Sequence, residues 1–306
     1  MAQMLTLQVT LFAMMALGFA VKKIGIVSKT GQANLTDLVI DVILPCNIIT
    51  SFQGSFGDNA LGNVLAIFLI SVAEQAFAVI YGRLYFPRER GKRKINLRYG
   101  MICSNAGFLG NPIAEGVFGA EGLMLASVFL IPMRVMMWSE GIALYSGSHN
   151  RRATLKKVIT HPCVLACLAG IVLLVFQITL PDILLAPLQT VGRCNTALSM
   201  MVIGMILAEI DLKTIFDRTI LAYSLHRLVI MPLLLFAVLR MLSSLSVPVS
   251  ALVTGVSVLL TAMPAGATTS MLAAKYDCDP GFAVRMVVTS TLLSIPAILI
   301  WSLVLG

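Results

Sequence analysis

Ten apolar runs of membrane-spanning length follow one another along the chain and constrain its fold more than any other feature. A helix that crosses the hydrocarbon core of a bilayer needs about 20 mainly apolar residues. We number the corresponding predicted spans 1 to 10. They are Leu5–Val21, Leu35–Phe52, Leu61–Tyr81, Tyr99–Phe118, Leu123–Tyr145, Val158–Ile178, Leu184–Ala208, Ile220–Leu242, Val249–Leu272 and Phe282–Leu305. The sequence therefore predicts an all-α polytopic membrane protein with ten transmembrane helices.

The composition agrees with this fold. Charged residues make up 12% of the 306 residues, whereas a soluble domain carries about 25%. The net charge of +8 is the kind of excess that nucleic-acid-binding proteins show, but here the basic residues lie between apolar runs. That placement is typical of the positive-inside bias of membrane proteins. We expect the lipid bilayer as a partner and no nucleic acid.

The basic residues also predict the orientation, because they occupy every second loop. Loops after spans 2, 4, 6 and 8 contain no Lys or Arg: Gly54–Asn59, Gly119–Gly122, Thr179–Asp182 and Ser243–Pro248. The basic residues after spans 1, 3, 5, 7 and 9 are Lys22, Lys23 and Lys29; Arg83, Arg88, Arg90, Lys92, Arg93, Lys94 and Arg98; Arg151, Arg152, Lys156 and Lys157; Lys213 and Arg218; Lys275 and Arg285. Basic loops are cytoplasmic. The sequence predicts a multi-pass protein of the cell membrane with both termini extracytoplasmic.

The chain divides near residue 150 into two halves of five spans, 1–150 and 151–306. An odd number of crossings per half makes the halves insert in opposite senses, which is the condition for an inverted-topology repeat. Weak echoes relate the halves, since Pro112 in span 4 corresponds to Pro264 in span 9. We therefore expect an inverted five-plus-five repeat.

Spans 4 and 9 are predicted to be broken helices. Span 4 contains the segment Ser104–Pro112 with two glycines, two asparagines and a proline, and span 9 contains Thr261–Gly266 with Pro264. Proline removes a helical hydrogen bond and glycine leaves the helical conformation readily. One such break is more often a packing kink, but two at corresponding positions indicate a substrate site near the membrane midplane. The N-terminus of a half-helix suits an anion.

Charged and amide groups inside the spans supply further candidates, because a buried charge in a membrane is costly and is usually paired or functional. Arg134 and Arg193 are candidates for holding an anion. Arg227 pairs with a carboxylate, extends its charged end to the membrane interface or contacts substrate. Glu74 is the candidate for proton coupling, since burial disfavours a carboxylate anion. Asn195 binds substrate or makes an interhelical hydrogen bond.

Motifs of enzyme chemistry are absent from the sequence, which has no His-Glu-x-x-His, no Gly-x-Ser-x-Gly and no phosphate-binding loop. We therefore expect no catalytic residues, no metal and no cofactor. Transport would be passive or driven by an ion gradient. The broken segments themselves contain no carboxylate, and Glu115, three residues after Pro112, is the one beside them, which favours proton coupling or uniport over sodium.

Four stretches resemble the auxin efflux carrier family of transporters, whose bacterial members are described as carboxylate permeases. They are Asn105–Pro112 with Phe118–Gly122, Ala262–Ala267 through Leu272–Tyr276, Leu44-Pro45, and Ala197-Leu198 through Gly204. The chain differs from many members at Ser199, where they have a proline nearby. The resemblance extends over nearly the whole chain.

The resemblance implies a scaffold domain of spans 1, 2, 6 and 7 and a mobile transport domain of spans 3–5 and 8–10. It also implies crossing of the two broken helices, elevator-type alternating access and a homodimer formed through the scaffold helices. The substrate-binding residues expected at the crossing are Asn105, Gly107, Asn111, Pro112, Met263, Pro264 and Ala265. Arg134, Arg193 and Asn195 complete the predicted site.

The predicted function is secondary active transport of a small organic anion, a mono- or dicarboxylate. Two alternatives remain. A sodium-coupled symporter of the bile-acid type shares the five-plus-five plan, but its sodium site needs more acidic groups at the crossing. A membrane solute sensor would bind the solute without measurable flux.

Overall fold

The computed structural model describes residues 2–53, 59–86, 89–147, 160–208, 217–245 and 249–305. These residues are almost entirely helical, and they contain one isolated β-bridge and no strand. Six of the basic residues used to predict the orientation lie outside the described residues: Arg88, Arg151, Arg152, Lys156, Lys157 and Lys213. The same holds for residues 54–58 and 246–248 of the predicted loops Gly54–Asn59 and Ser243–Pro248.

The helices follow the predicted spans, often in two pieces. In chain order they are α1 (Ala2–Lys23), α2 (Lys29–Leu38), α3 (Leu44–Ser51), α4 (Ala60–Leu84), α5 (Gly91–Ile102), α6 (Asn111–Met136), α7 (Ile142–Ser146), α8 (Pro162–Val175), α9 (Asp182–Gly192), α10 (Cys194–Ala208), α11 (Arg218–Leu225), α12 (Met231–Ser244), α13 (Ala251–Thr261), α14 (Thr268–Lys275) and α15 (Pro280–Leu305).

Within the described residues, six helical stretches are long and apolar enough to cross a membrane. They are Lys29–Ser51, Ala60–Leu84, Ala106–Tyr145, Asp182–Ala208, Arg218–Ser244 and Pro280–Leu305. The helices α8 and α13 are shorter and also apolar. The chain is thus a helical, multi-pass membrane protein.

Three prolines each follow a π-helical segment by two residues. The π segments are Val39–Ile43 before Pro45, Ala106–Gly110 before Pro112, and His226–Ile230 before Pro232. Proline lacks an N–H, and its ring clashes with the carbonyl four residues earlier. A π turn is one residue wider and relieves that clash. Pro112 therefore lies in a continuous helix and not at the break itself.

The boundary between spans 4 and 5 lies where the sequence predicts it. Residues Asn111–Met136 contain one non-helical residue, Gly119, with φ 69° and ψ −161°. Side chains other than glycine rarely adopt this positive φ. The break at Gly119 divides α6 into two helical segments, and the second continues through a π segment, Met137–Gly141, into α7.

The basic stretch after span 3 differs from the prediction, which placed it in a loop. Lys92, Arg93, Lys94 and Arg98 lie instead in α5, which begins at Gly91. Acidic groups compensate these charges, because Lys92 pairs with Asp277 at 2.9 Å and Arg98 with Glu140 at 3.5 Å. The C-terminal half of α5, from Asn96 to Ile102, is buried except at Arg98, so the helix forms the first half of span 4.

Span 7 is also divided, since α9 ends at Gly192 and α10 begins at Cys194, with Arg193 between them. The helix α10 packs closely on α1, where Gly18 meets the Met201 backbone and Gly204 meets the Met15 backbone. Because glycine has no side chain, it lets two helices approach each other closely at these positions. The helix α3 packs against α8 and α9.

A second group of contacts surrounds α6, which packs against α4 and α13, while α15 packs against α11 and α14. The largest buried apolar cluster extends between the two groups and includes residues of α3, α6, α8, α10 and α13. The interrupted segments of spans 4 and 9 lie where the two groups of helices meet, because α10 and α13 both contact the π segment Ala106–Gly110.

Candidate functional site

The two interrupted segments lie side by side and pair through their backbones. The Asn105 N–H donates to the Pro264 carbonyl at 2.8 Å, and the Gly266 N–H donates to the Cys103 carbonyl at 3.1 Å. These bonds form an antiparallel bridge between Ser104 and Ala265. Irregular backbone is tolerated in a membrane only where its polar groups are satisfied by protein or water. The backbone polar groups of each interrupted segment are therefore partly satisfied by those of the other.

Spans 4 and 9 are interrupted at different positions relative to their prolines. Span 9 ends its first half at Thr261, just before Pro264, and resumes at Thr268. Span 4 ends its first half at Ile102, eight residues before Gly110, the last residue of its π segment. Asn105 lies at the N-terminus of the second half of span 4, immediately before the π segment Ala106–Gly110.

The Arg227 side chain forms hydrogen bonds with both interrupted spans. Its Nε donates to the Met263 carbonyl at 3.1 Å, and its Nη1 donates to the Met101 carbonyl at 3.0 Å. Both carbonyls lie at C-terminal ends of half-helices, which carry partial negative charge and orphan acceptors. Glu74 Oε1 lies 3.8 Å from Arg227 Nη1. The guanidinium thus contacts protein groups, and of the predicted alternatives the structure has Arg227 paired with a carboxylate.

Glu74 is buried and receives a second contact, since Gln75 Nε2 donates to its Oε2 at 2.7 Å. Ser290, in α15, adds a further bond to the crossing by accepting from the Ala265 N–H at 3.2 Å. Sequence reasoning did not select Ser290. The run Thr289-Ser290-Thr291 in an otherwise apolar span was the available signal.

Arg134 is also buried, but its position differs from that of Arg227. Its Nη1 has no hydrogen-bond partner among the described residues. A Cβ added to Gly107 would stand 4.0 Å from Arg134 Nη2 and meet nothing closer. The guanidinium therefore lies beside the first turn after the span 4 break. A buried donor left unpaired costs roughly 1–3 kcal/mol, and a ligand acceptor would remove that cost.

Two predicted amide residues also have buried polar atoms without a hydrogen-bond partner within the described part of the chain. Asn111 is fully buried, and neither its Oδ1 nor its Nδ2 has a partner. Asn195 accepts from Ser199 Oγ at 3.2 Å, but its Nδ2 has no partner. Arg134, Asn111 and Asn195 thus each present a buried and unsatisfied donor.

Arg193 is placed differently from the other predicted site residues. It is exposed, at the junction of α9 and α10, and does not lie among the buried groups of the crossing. Its role in substrate binding stays a prediction. Asn47, a polar residue of span 2 for which the sequence allows an interhelical hydrogen bond, makes one, because its Nδ2 donates to Glu115 Oε2 at 3.1 Å.

The comparison with known proteins agrees with this arrangement. Residues 4–302 match the model of a family described as membrane transport protein, the auxin efflux carrier family. The chain belongs to this family. The transporter is 26% identical over 311 residues to an uncharacterized transporter of Methanothermobacter thermautotrophicus, an alignment that covers 97% of the chain and 96% of the relative.

A second relative is an uncharacterized transporter of Methanocaldococcus jannaschii, 24% identical over 301 residues, with 94% of each chain covered. Both relatives match the transporter over nearly their whole lengths. The sequence-based prediction of the family is therefore confirmed, as is the prediction that the protein is a transporter and not an enzyme.

Proposed function

We propose that the transporter is a secondary active carrier of a small organic anion, a mono- or dicarboxylate. The observation that carries the proposal is Arg134, a buried guanidinium beside the span 4 break whose Nη1 has no hydrogen-bond partner in the part of the chain that the structure describes. A buried cation without a partner is costly in a membrane. A carboxylate bound there would supply both the missing charge and the missing acceptor.

The proposed site extends from Arg134 to the backbone of the crossing. Asn105 and Gly107 begin the second half-helix of span 4, whose N-terminal N–H groups favour an anion. The remaining members are Asn111, Pro112, Asn195, Met263, Pro264 and Ala265, with Arg193 at the periphery. The unsatisfied donors of Asn111 and Asn195 support this assignment.

The same proposal includes the architecture. Ten spans would form an inverted five-plus-five repeat, divided at residue 150. Spans 1, 2, 6 and 7 would form the scaffold, and spans 3–5 and 8–10 would form the transport domain. The packing of α1 on α10 and of α3 on α8 and α9 supports the scaffold grouping, and the packing of α4 and α13 on α6 supports the transport grouping.

Elevator-type alternating access would move the second group past the first and carry the crossing across the membrane. A homodimer would form through the scaffold. Both termini would be extracytoplasmic in the cell membrane. A proton gradient is the proposed driving force, with Glu74 as the sequence-based candidate for the coupling carboxyl.

The experiment is a binding and uptake measurement on purified protein. Malate and malonate should raise the thermal unfolding temperature, and radiolabelled malate should enter proteoliposomes. Arg134→Gln should weaken binding by about 2 kcal/mol or more, on the order of thirtyfold. Arg240→Gln is the matched control, because Arg240 is exposed and lies over the Phe236 ring.

Equal binding by Arg134→Gln and the parent would remove Arg134 from the site. Stabilisation by organic cations and by none of the carboxylates would contradict the proposed substrate class. Binding without uptake in proteoliposomes would favour a sensor over a transporter.

A further inference from the structure

One side-chain hydrogen bond joins the two groups of packed helices. Asn47 Nδ2, in α3, donates to Glu115 Oε2, in the first segment of α6, at 3.1 Å. Asn47 is 6% exposed and Glu115 is half-buried. The helix α3 packs on α8 and α9, whereas α6 packs on α4 and α13. Movement of one group past the other would therefore break this contact.

Few of the helices packed around Glu115 carry charged residues. The helices packed against α6 are α3, α4, α8, α10 and α13, and of these only α4 carries charged residues, Glu74 and Arg83. The π segment after α6 adds Glu140. Arg83 pairs with Glu140 at 2.8 Å, and Glu74 pairs with Arg227.

The helix α6 itself carries two further charged groups, Glu121 and Arg134. Arg134 lies beside Gly107, and Glu121 follows the break at Gly119. Within the described residues, Asn47 is the side chain that contacts the Glu115 carboxyl group. Glu115 thus has a hydrogen-bond donor as its partner but no cation.

The carboxyl groups of Glu74 and Glu115 differ in what protonation would do. A proton on Glu74 would leave the Arg227 guanidinium uncompensated in the membrane interior, which is strongly unfavourable. A proton on Glu115 would remove a charge that no cation among the described residues balances. The neutral acid accepts a weaker, uncharged hydrogen bond from Asn47, so protonation makes the contact between the helices easier to break.

We propose that Glu115, rather than Glu74, binds the coupled proton, and that Asn47 positions its carboxyl group across the boundary between the two groups of helices. This rests on the proposed transport function and replaces its sequence-based coupling residue. A proton from water on one side joins the carboxylate, and the neutral side chain then moves with α6 away from Asn47. The proton leaves to water on the other side, and Glu74 stays ionised as the counter-ion of Arg227.

Infrared titration of the purified protein tests the proposal without a substrate. The carbonyl band of a protonated carboxylic acid should appear as the pH falls from neutral to about 5.5, where exposed carboxyl groups, with pKa values of about 4, are still ionised. Glu115→Gln should abolish this band, whereas Glu74→Gln and the matched control Glu121→Gln should retain it. Asn47→Ala should move the midpoint of the titration to higher pH, because the amide stabilises the anion by hydrogen bonding. A band that disappears in Glu74→Gln and persists in Glu115→Gln would overturn the proposal, as would the absence of a titrating band.

Uptake in proteoliposomes gives the second measurement, with radiolabelled malate as the probe. A pH gradient should drive accumulation by the parent, while Glu115→Gln should exchange malate across the membrane without accumulating it. Accumulation by Glu115→Gln equal to that of the parent, or a requirement for sodium in the parent, would contradict the coupling role. Failure of the parent to move any carboxylate would instead contradict the proposed function, and the infrared result would still decide whether Glu115 titrates.

Discussion

Glu74 and Arg227 form a buried ion pair in which Glu74 Oε1 lies 3.8 Å from Arg227 Nη1 and each side chain is 2% exposed. Arg227 also donates to the Met101 and Met263 carbonyls. One side chain from the middle of span 8 therefore holds both interrupted spans, and its charge is balanced by span 3. The geometry of the crossing depends on this pair.

Replacing Arg227 by Gln should strongly destabilise the protein. The change leaves Glu74 as a buried, uncompensated carboxylate and removes the donor from two half-helix ends, which costs about 3–5 kcal/mol. Thermal unfolding of the detergent-purified protein measures the loss. The double variant Glu74→Gln with Arg227→Gln should lose less than the sum of the single variants. Strictly additive losses would show that the two side chains do not interact.

The spans and the two breaks could be predicted from the sequence because hydrophobic length and Pro/Gly content are local properties. The exact break could not be predicted, since span 4 stops at Ile102 and the π segment Ala106–Gly110 accommodates Pro112. The contacts of Arg227 depend on carbonyls 126 and 36 residues away. No local pattern shows such a contact, and a carbonyl acceptor has no sequence signature at all.

Gly107 and Gly110 should respond oppositely to substitution by Ala. A Cβ on Gly110 would stand 2.6 Å from Leu260 Cδ2 and 3.2 Å from Met263 Cγ, whereas a Cβ on Gly107 has only Arg134 Nη2 at 4.0 Å. Overpacking a core typically costs about 1–3 kcal/mol, so Gly110→Ala should lower the unfolding temperature. Gly107→Ala should leave that temperature unchanged or raise it, because Ala favours helix over Gly by about 1 kcal/mol.

The same Gly107→Ala variant should weaken anion binding, since its methyl group would fill space beside the Arg134 guanidinium. The thermal shift produced by malate measures this effect in both variants. An unchanged malate response in Gly107→Ala would indicate that the ligand does not approach this turn.

The close packing of α1 on α10 should be sensitive to any added side chain. A Cβ on Gly204 would overlap the Met15 backbone, and a Cβ on Gly18 would overlap the Met201 backbone. Backbone atoms cannot move aside as a side chain tip can, so Gly18→Ala and Gly204→Ala should each lower the unfolding temperature by the equivalent of about 1–3 kcal/mol. Gly31→Ala is the control, because its Cβ would meet only side-chain atoms at 3.4 Å. Equal unfolding temperatures for all three variants would contradict the close helix crossing.

Removing the hydroxyl group of Tyr145 should destabilise the end of span 5. Tyr145 donates to Asn96 Oδ1 at 2.7 Å, and Asn96 Nδ2 donates to the Cys278 carbonyl at 2.8 Å. Asn96 is fully buried, so Tyr145→Phe leaves its oxygen without this donor, a loss of about 1–3 kcal/mol. Thermal unfolding should show the loss in Tyr145→Phe and almost none in Tyr85→Phe, where the ring is 40% exposed. Because Asn96 joins α5 to the turn before α15, hydrogen exchange at residues 276–279 should also rise in Tyr145→Phe. Unaltered exchange there would mean that Asn96 holds the turn without help from Tyr145.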